Sequence, residues 1–247
     1  MCERNTHPIK RIFFLLCILL WQFANSQSPS TILCRDTALY VSKNKSSVKW
    51  HQTNAFRITA APAILIGYGI STIGNNGLFL SSHEVQQWRH KNFSSFKTDI
   101  DDHMPSVPIV VMYVLDLARV RHKNNWVNQT IIFGIANALN GFLTDQTKRI
   151  SHIQRPDGTD YLSFPSAHTT SAFLAAEILH QEFKDESVWI SIGGYTFAAT
   201  VAALRILNNK HWLSDVAAGA GIGILSAKIT YFAFNWIQKK ICERRKN

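Results

Sequence analysis

The sequence predicts an all-α protein, a single bundle of about six core helices. Three observations point there. Apolar residues recur at helical spacing through most of residues 58–237. No stretch shows sustained strand alternation or hairpin punctuation. Pro and Asn-Gly signals separate the apolar runs from one another. Of the 247 residues, 46% are hydrophobic and 17% charged, with a net charge of +10. Ordinary soluble domains carry roughly 25% charged residues. Global disorder is excluded, because the chain has ample apolar surface to bury. A mean hydropathy of −0.04 is nonetheless low for a dense membrane bundle. Composition alone thus leaves a soluble helical protein and a partly embedded one both open.

Residues 1–26 have the order of a secretory signal peptide: basic Arg4, Lys10 and Arg11, the apolar run Ile12 to Ala24, then small residues at Ala24 and Ser26. The run is short against the about 20 residues of a transmembrane span. Its removal would leave an exported chain with Cys34 and Cys242, and no CxxC or Cys/His zinc pattern. Residues 27–57 read as a polar N-terminal segment. Residues 58–73 form an apolar helix, ended by the turn signal Asn75-Asn76-Gly77. Residues 82–103 read as a surface helix plus connector. Pro105 and Pro108 open a helix over 109–118, a position where Pro is tolerated. Helices follow over 127–147, 166–183, 187–207 and 213–237, and residues 238–247 form a basic tail. One helical domain therefore spans 58–237. Asp99, Asp101, Asp102 and His103 read as an acidic turn near a helix start, since no spaced partner completes a metal ligand set. No metal or other cofactor is expected.

Three motifs carry chemistry. In the first, Lys148 and Arg155-Pro156 sit where a helix gives way to a loop. Alone, this reads as solvated basic surface. In the second, Pro165 breaks the chain before an apolar helix, and Ser166 stands at its N-cap. Free N–H groups in that first turn, with His168 beside them, make an anion site. In the third, His211 and Asp215 lie four apart at a helix start, with Arg205 just upstream. A carboxylate at that spacing can hold one ring nitrogen and leave the other nucleophilic. Helices 166–183 and 187–207 can run out and back, which returns residue 205 to the end where residue 166 began. The motifs then meet on one rim suited to a phosphoryl group.

These residues stand at the spacing K-x6-R-P, P-S-x-H and R-x5-H-x3-D, and the chain resembles the type-2 phosphatidic acid phosphatases. The resemblance implies an acid phosphatase/vanadium haloperoxidase-like bundle and a metal-free phosphatase. His211 would attack phosphorus and form a phosphohistidine, with Asp215 holding its tautomer. His168 would protonate the leaving oxygen. Lys148, Arg155, Arg205, Ser166 and the Ala167 N–H would cradle the phosphate. Two positions depart from the family pattern: Ala167 replaces the usual Gly, and Leu204 stands where Ser usually precedes Arg205.

Apolar helices, export and basic charge favour a lipid phosphate over a soluble one, and a membrane rather than nucleic acid as partner. The segment from Asp99 to the Trp212 motif also resembles the exported lipid A phosphatases of Gram-negative bacteria. That implies lipid A as substrate at the periplasmic face of the inner membrane, integral or peripheral. Undecaprenyl diphosphate and glycerolipid phosphates are alternatives. So are a soluble acid phosphatase, a vanadate haloperoxidase, and a catalytically dead lipid-binding protein.

Overall fold

The computed structural model describes residues 53–74, 77 and 79–246. The expected signal peptide, most of the polar 27–57 segment and Cys34 lie outside the described residues. Within them, every regular element is a helix. In order these are α1 (Asn54–Ser71), α2 (Ser82–Asn92), two 3-10 turns (Ile100–Asp102 and Met104–Ser106), α3 (Val107–Leu117), α4 (Trp126–Ser151), α5 (Ala167–Phe183), α6 (Val188–Leu207) and α7 (Leu213–Lys246).

Local chemistry sets the starts. Thr53, Asn125, Ser166 and Ser187 each cap the helix that follows, the hydroxyl or amide oxygen accepting a first-turn N–H. Ser81 and Glu84 form a reciprocal capping box: the Glu84 N–H donates to Ser81 Oγ at 3.2 Å, and the Ser81 N–H to Glu84 Oε2 at 2.7 Å. α4 stops where His152 turns left-handed (φ 47°), a conformation that cannot continue a right-handed helix. Two ends differ from expectation. α4 runs to Ser151, so Lys148 sits in its last turn. α7 continues to Lys246, so the basic tail is helical; neither Gly nor Pro interrupts it after Gly223, and Glu243 pairs with Lys239 and Lys240.

Contacts at both ends fix the relative directions of the long helices. α5 and α7 pack side by side, with Gly219 against Ser166 and Thr169, and Tyr231 donating to Glu182 at 2.6 Å at the far end. α1 runs antiparallel to α7, with Gly69 against Ser214 and Ala218, and Lys228 reaching the Arg57 carbonyl. α4 and α6 run antiparallel to α5: Asn140 meets Thr170 near one end, while Ser191 meets His180 near the other. As a result the C-termini of α1, α4 and α6 and the N-termini of α3, α5 and α7 gather at one end. α2 lies across that end, with Ser82 Oγ accepting the Ser214 N–H and Arg89 donating to the Leu207 carbonyl at 3.0 Å.

The core is built from Met112, Ile132, Ala136, Leu174, Ile178, Phe183 and Tyr231. Much apolar surface faces outward instead, including Val110, Leu117, Ile135, Phe142, Trp189, Ile192, Phe232 and Trp236. Scattered exposed hydrophobics are ordinary, but a belt of this extent marks an interaction surface. Val188–Leu207 and Leu213–Arg245 are long and apolar enough to cross a membrane.

Close approach of α7 to α5 requires glycine at 223. A Cβ there would run into the Thr170 carbonyl and lie 2.8 Å from the Leu174 nitrogen. Gly223→Ala is expected to destabilise by about 2 kcal/mol through overpacking. Gly193→Ala, where a Cβ meets nothing within 4 Å, is expected to leave the melting temperature unchanged or slightly raised. Thermal unfolding in detergent checks both.

Candidate functional site

The gathered helix ends bring the three motifs together. Asp215 lies in the first turn of α7 and is fully buried. Its Oδ2 accepts the Trp212 N–H at 2.9 Å, the Ser163 hydroxyl at 2.5 Å and His211 Nδ1 at 3.2 Å. An ionised carboxylate only accepts, so the imidazole proton belongs on Nδ1 and Nε2 carries the lone pair. Asp215 thus both caps its helix and orients His211. The Asp215 carbonyl also accepts the Ser166 N–H at 3.1 Å, which ties the N-cap of α5 to the start of α7.

The loop 152–165 is held by the same neighbours. Trp212 Nε1 donates to the Gln154 carbonyl at 2.7 Å. Arg155 Nε donates to Asp160 at 2.9 Å. Lys148 donates to the Leu162 carbonyl, and to that of Ser163 at 3.4 Å. Ser166 is buried, and its Oγ accepts the Thr169 N–H and hydroxyl. Ala167 is the exposed first residue of α5, with its N–H among the helix's orphan donors. Its methyl sits at the mouth of the site and does not displace that backbone group.

Arg205 lies in the last turn of α6, 6% exposed. Its Nη1 donates to Asp101 Oδ2 at 2.8 Å and Asp102 Oδ1 at 2.9 Å. Its Nε is buried with no hydrogen-bond partner within the described residues. A buried, unpaired guanidinium donor costs on the order of 1–3 kcal/mol or more, so this atom is set for an acceptor from outside the chain. His168 Nε2 lies 3.2 Å from the same Asp102 Oδ1.

The acidic turn is therefore part of the site, which the sequence reading missed. Asp101 is 1% exposed and also accepts Asn208 Nδ2 at 2.8 Å. The one signal available was three carboxylates in four residues beside a Pro-opened helix. Nothing local connects them to residue 205.

Electrostatics follow from burial inside a cationic cluster. Burial holds His211 down to about 4, with Arg155 and Arg205 adding to the effect and Asp215 opposing it. Burial and Arg205 also lower His168, against the raising effect of Asp102 and Asp101. Burial and Arg155 bring Lys148 down to about 8. Two imidazoles and the cations Arg155 and Arg205 thus lie close enough to shift one another, with Lys148 beside Arg155. That arrangement can bind a tetrahedral oxyanion and attack it.

Residues 129–239 match the PAP2 superfamily, and this stretch covers all three motifs. The lipid A 1-phosphatase of Porphyromonas gingivalis is 34% identical over 151 residues, 60% of this chain and 34% of that protein. The chain thus spans about a third of that relative's length. Two crystal structures are also similar. Aquifex aeolicus LpxE is 21% identical and aligns over 59% of this chain and 93% of that one, with a TM-score of 0.45. A transmembrane PAP2-type phosphatidylglycerolphosphate phosphatase from Bacillus subtilis is 18% identical and aligns over 74% and 98%, also at 0.45.

Removing Asp215 would leave His211, Ser163 and the Trp212 N–H without their common acceptor. Asp215→Ala is expected to destabilise by about 3 kcal/mol, as for other broken buried pairs. Asp215→Asn, which keeps an acceptor oxygen, is expected to lose less. Denaturation midpoints of the two variants check this ordering.

Proposed function

We propose that this chain, which carries a PAP2 superfamily domain, is a metal-independent phosphatase acting on a phosphate monoester of a membrane lipid. Lipid A is the favoured substrate, and the reaction runs through a phosphohistidine. The observation that carries this reading is the buried His211–Asp215 pair, 3.2 Å apart, in the electrostatic neighbourhood of Arg155 and Arg205, whose buried Nε is unpaired within the described residues.

His211 Nε2 attacks phosphorus, and the bond from phosphorus to the lipid oxygen breaks in line. His168, on the opposite side, gives its proton to that oxygen. In the second step His168 takes a proton from water, the hydroxide attacks phosphorus, and the P–N bond breaks to release inorganic phosphate. Lys148, Arg155, Arg205 and the first-turn N–H groups of α5 neutralise charge on the non-bridging oxygens. Asp102 favours the protonated form of His168 before the acid step.

A lipid is favoured over a soluble ester by a second feature. A cavity of about 500 Å³ leads away from His168 and Asp102 between α3, α4 and α5, lined by Ile109, Val110, Phe133 and Leu174. Its lining is mainly apolar, with Ser106, Asn137 and Ser171 as polar exceptions, and it includes the general acid His168 and the outward-facing Val110. The acyl part of a lipid whose leaving oxygen is held at His168 suits it. The cations at the end away from the site support one membrane orientation. Arg119, Arg121, Lys123 and Lys184 lie at the end away from the site, with Lys239, Lys240, Arg244 and Arg245 at the end of α7. That end suits the cytoplasm and turns the site outward. In this orientation Asn54 enters from the inner face, whereas cleavage after residue 26 would leave residue 27 on the outer face. The intervening residues lie outside the described ones.

Phosphate release from lipid A, undecaprenyl diphosphate and phosphatidic acid, with His211→Ala as blank, tests the reading. The expected result is a loss of about 10³-fold or more in His211→Ala and the highest kcat/KM on lipid A. Equal rates on water-soluble esters would defeat the lipid assignment.

The pH dependence has a worked sign. His211 must be unprotonated, so kcat/KM is expected to rise through pH about 4. His168 must be protonated, so kcat/KM falls as pH passes its value, which lies below the usual 6.5. A second loss follows above pH about 8, as Lys148 gives up its charge. Lys148→Arg is expected to abolish that second step. Asp102→Asn removes a carboxylate that raises His168, so it is expected to shift the first alkaline limb to lower pH. pH–rate profiles of the three proteins measure these limbs.

A further inference from the structure

The loop between α2 and the first 3-10 turn is held against the site by groups that the phosphoryl chemistry does not use. Arg89, 5% exposed, donates through Nε to the Leu207 carbonyl at 3.0 Å and through Nη2 to the Phe96 carbonyl at 3.5 Å. Asn208 clasps Thr98 from both sides: its Nδ2 donates to the Thr98 carbonyl at 2.8 Å, and its Oδ1 accepts the Thr98 N–H at 2.9 Å. Burying an arginine to fix a surface loop is costly unless the loop's position matters. The effect is to make residues 94–99 one wall of a cavity of about 530 Å³. Its other wall contains Arg155 and Arg205, so the cavity opens directly onto the phosphate cradle. It meets the apolar cavity at Asp102, which lines both.

The lining has mixed chemistry. Ser94, Ser95 and Thr98 bring hydroxyls and Asp99 a carboxylate. Lys97, exposed, brings an ammonium, and Phe96 brings an aromatic ring. Closely spaced donors and acceptors around one aromatic face match a ligand dense in hydroxyls with apolar C–H faces. A volume of this size is within the roughly 300–1,000 Å³ of small-molecule sites. A diacylglycerol or prenyl phosphate has no such polar body to put there.

We propose that this cavity is a headgroup subsite that binds the sugar of a glycolipid phosphate, with residues 94–99 as its specificity-determining wall. The inference rests on the lipid phosphatase reading and assigns the sugar of its favoured substrate to one wall of the site, residues 94–99. The phosphate sits in the cradle, the acyl part in the apolar cavity, and the sugar against Phe96 and Lys97.

Binding can be tested apart from turnover. Deacylated lipid A headgroup, a glucosamine disaccharide monophosphate, and inorganic phosphate are each titrated calorimetrically into full-length, detergent-solubilised His211→Ala protein. The expected result is headgroup binding at least tenfold tighter than inorganic phosphate, with the difference lost in Phe96→Ala and Lys97→Ala versions of that protein. In the otherwise wild-type protein, the same two substitutions are expected to reduce the ratio of kcat/KM for lipid A over phosphatidic acid by about tenfold. Equal binding of headgroup and inorganic phosphate would overturn the subsite while leaving the phosphatase reading standing. Absent phosphate release from every lipid, with headgroup binding intact, would overturn the phosphatase reading and leave the subsite.

Discussion

A carboxylate with no exposed surface must be met by donors, and Asp215 is met from three directions. Ser163 reaches it from the loop before α5, Trp212 through its backbone from the turn before α7, and His211 through its ring. The Asp215 carbonyl then takes the N–H of Ser166, the cap of α5. Desolvating an ion costs several kcal/mol unless every lone pair is satisfied, so these contacts are obligatory together. The positive end of the α7 dipole supports the same charge. Four chain segments thereby acquire one relative geometry, and the cradle, the oriented histidine and the α5 N-terminus are its consequences. The far end of the bundle has its own buried acceptor, Glu182, which gathers Asn124, Gln129 and Tyr231. Each end is thus pinned by a carboxylate, and the apolar middle supplies the burial.

Arg205 illustrates how the site stays charged before any ligand arrives. Asp101 and Asp102 hold one of its nitrogens from the outer side. Neither reaches Nε. The guanidinium is therefore positioned by its partners but not saturated by them. Its field also falls on His168 and His211, which it pushes toward neutrality. For His211, neutrality is what a nucleophile needs. For His168, the neighbouring Asp102 acts in the opposite sense. Each imidazole in this cationic cluster thus has a neighbouring carboxylate that opposes burial and Arg205: Asp215 for His211 and Asp102 for His168.

Much of this was legible in the sequence because its determinants are local. Helical periodicity, the Ser166 cap and the His211–Asp215 spacing of four all concern residues within one or two turns of each other. The meeting of three motifs followed from counting one helix out and one back. What was not legible depends on pairs far apart in the chain. Asp101 and Arg205 share no periodicity, and an acidic turn before a helix is common enough to need no partner. Arg89 looked like one charge on a polar surface helix, yet it is buried because α2 folds over the ends of α6 and α7. The close helix–helix contacts of α7 with α1 and α5, at Gly69, Gly219 and Gly223, appear in the sequence only as small residues. Element ends were also set by context: α7 outruns its apolar stretch because salt-paired lysines and Glu243 are good helix formers.

The two cavities beside the cradle differ in a way that bears on selectivity. One is walled by helices already packed for other reasons, so its apolar lining follows from the bundle itself. The other has as one wall a loop that Arg89 and Asn208 hold in place. Loops carry variation that a packed bundle does not tolerate, since a core substitution is felt by every neighbour, whereas an exposed loop residue is felt mainly by what it touches. A bundle of this kind can therefore keep one phosphoryl mechanism and change its substrate through residues 94–99. On the proposed reading, recognition of the phosphate would depend on α4 to α7, recognition of the apolar part on α3 to α5, and recognition of the remaining polar part on a segment that Arg89 and Asn208 anchor. On physical grounds that last segment is where specificity can change at least cost to stability, because neither anchoring side chain needs to change when the wall between them does.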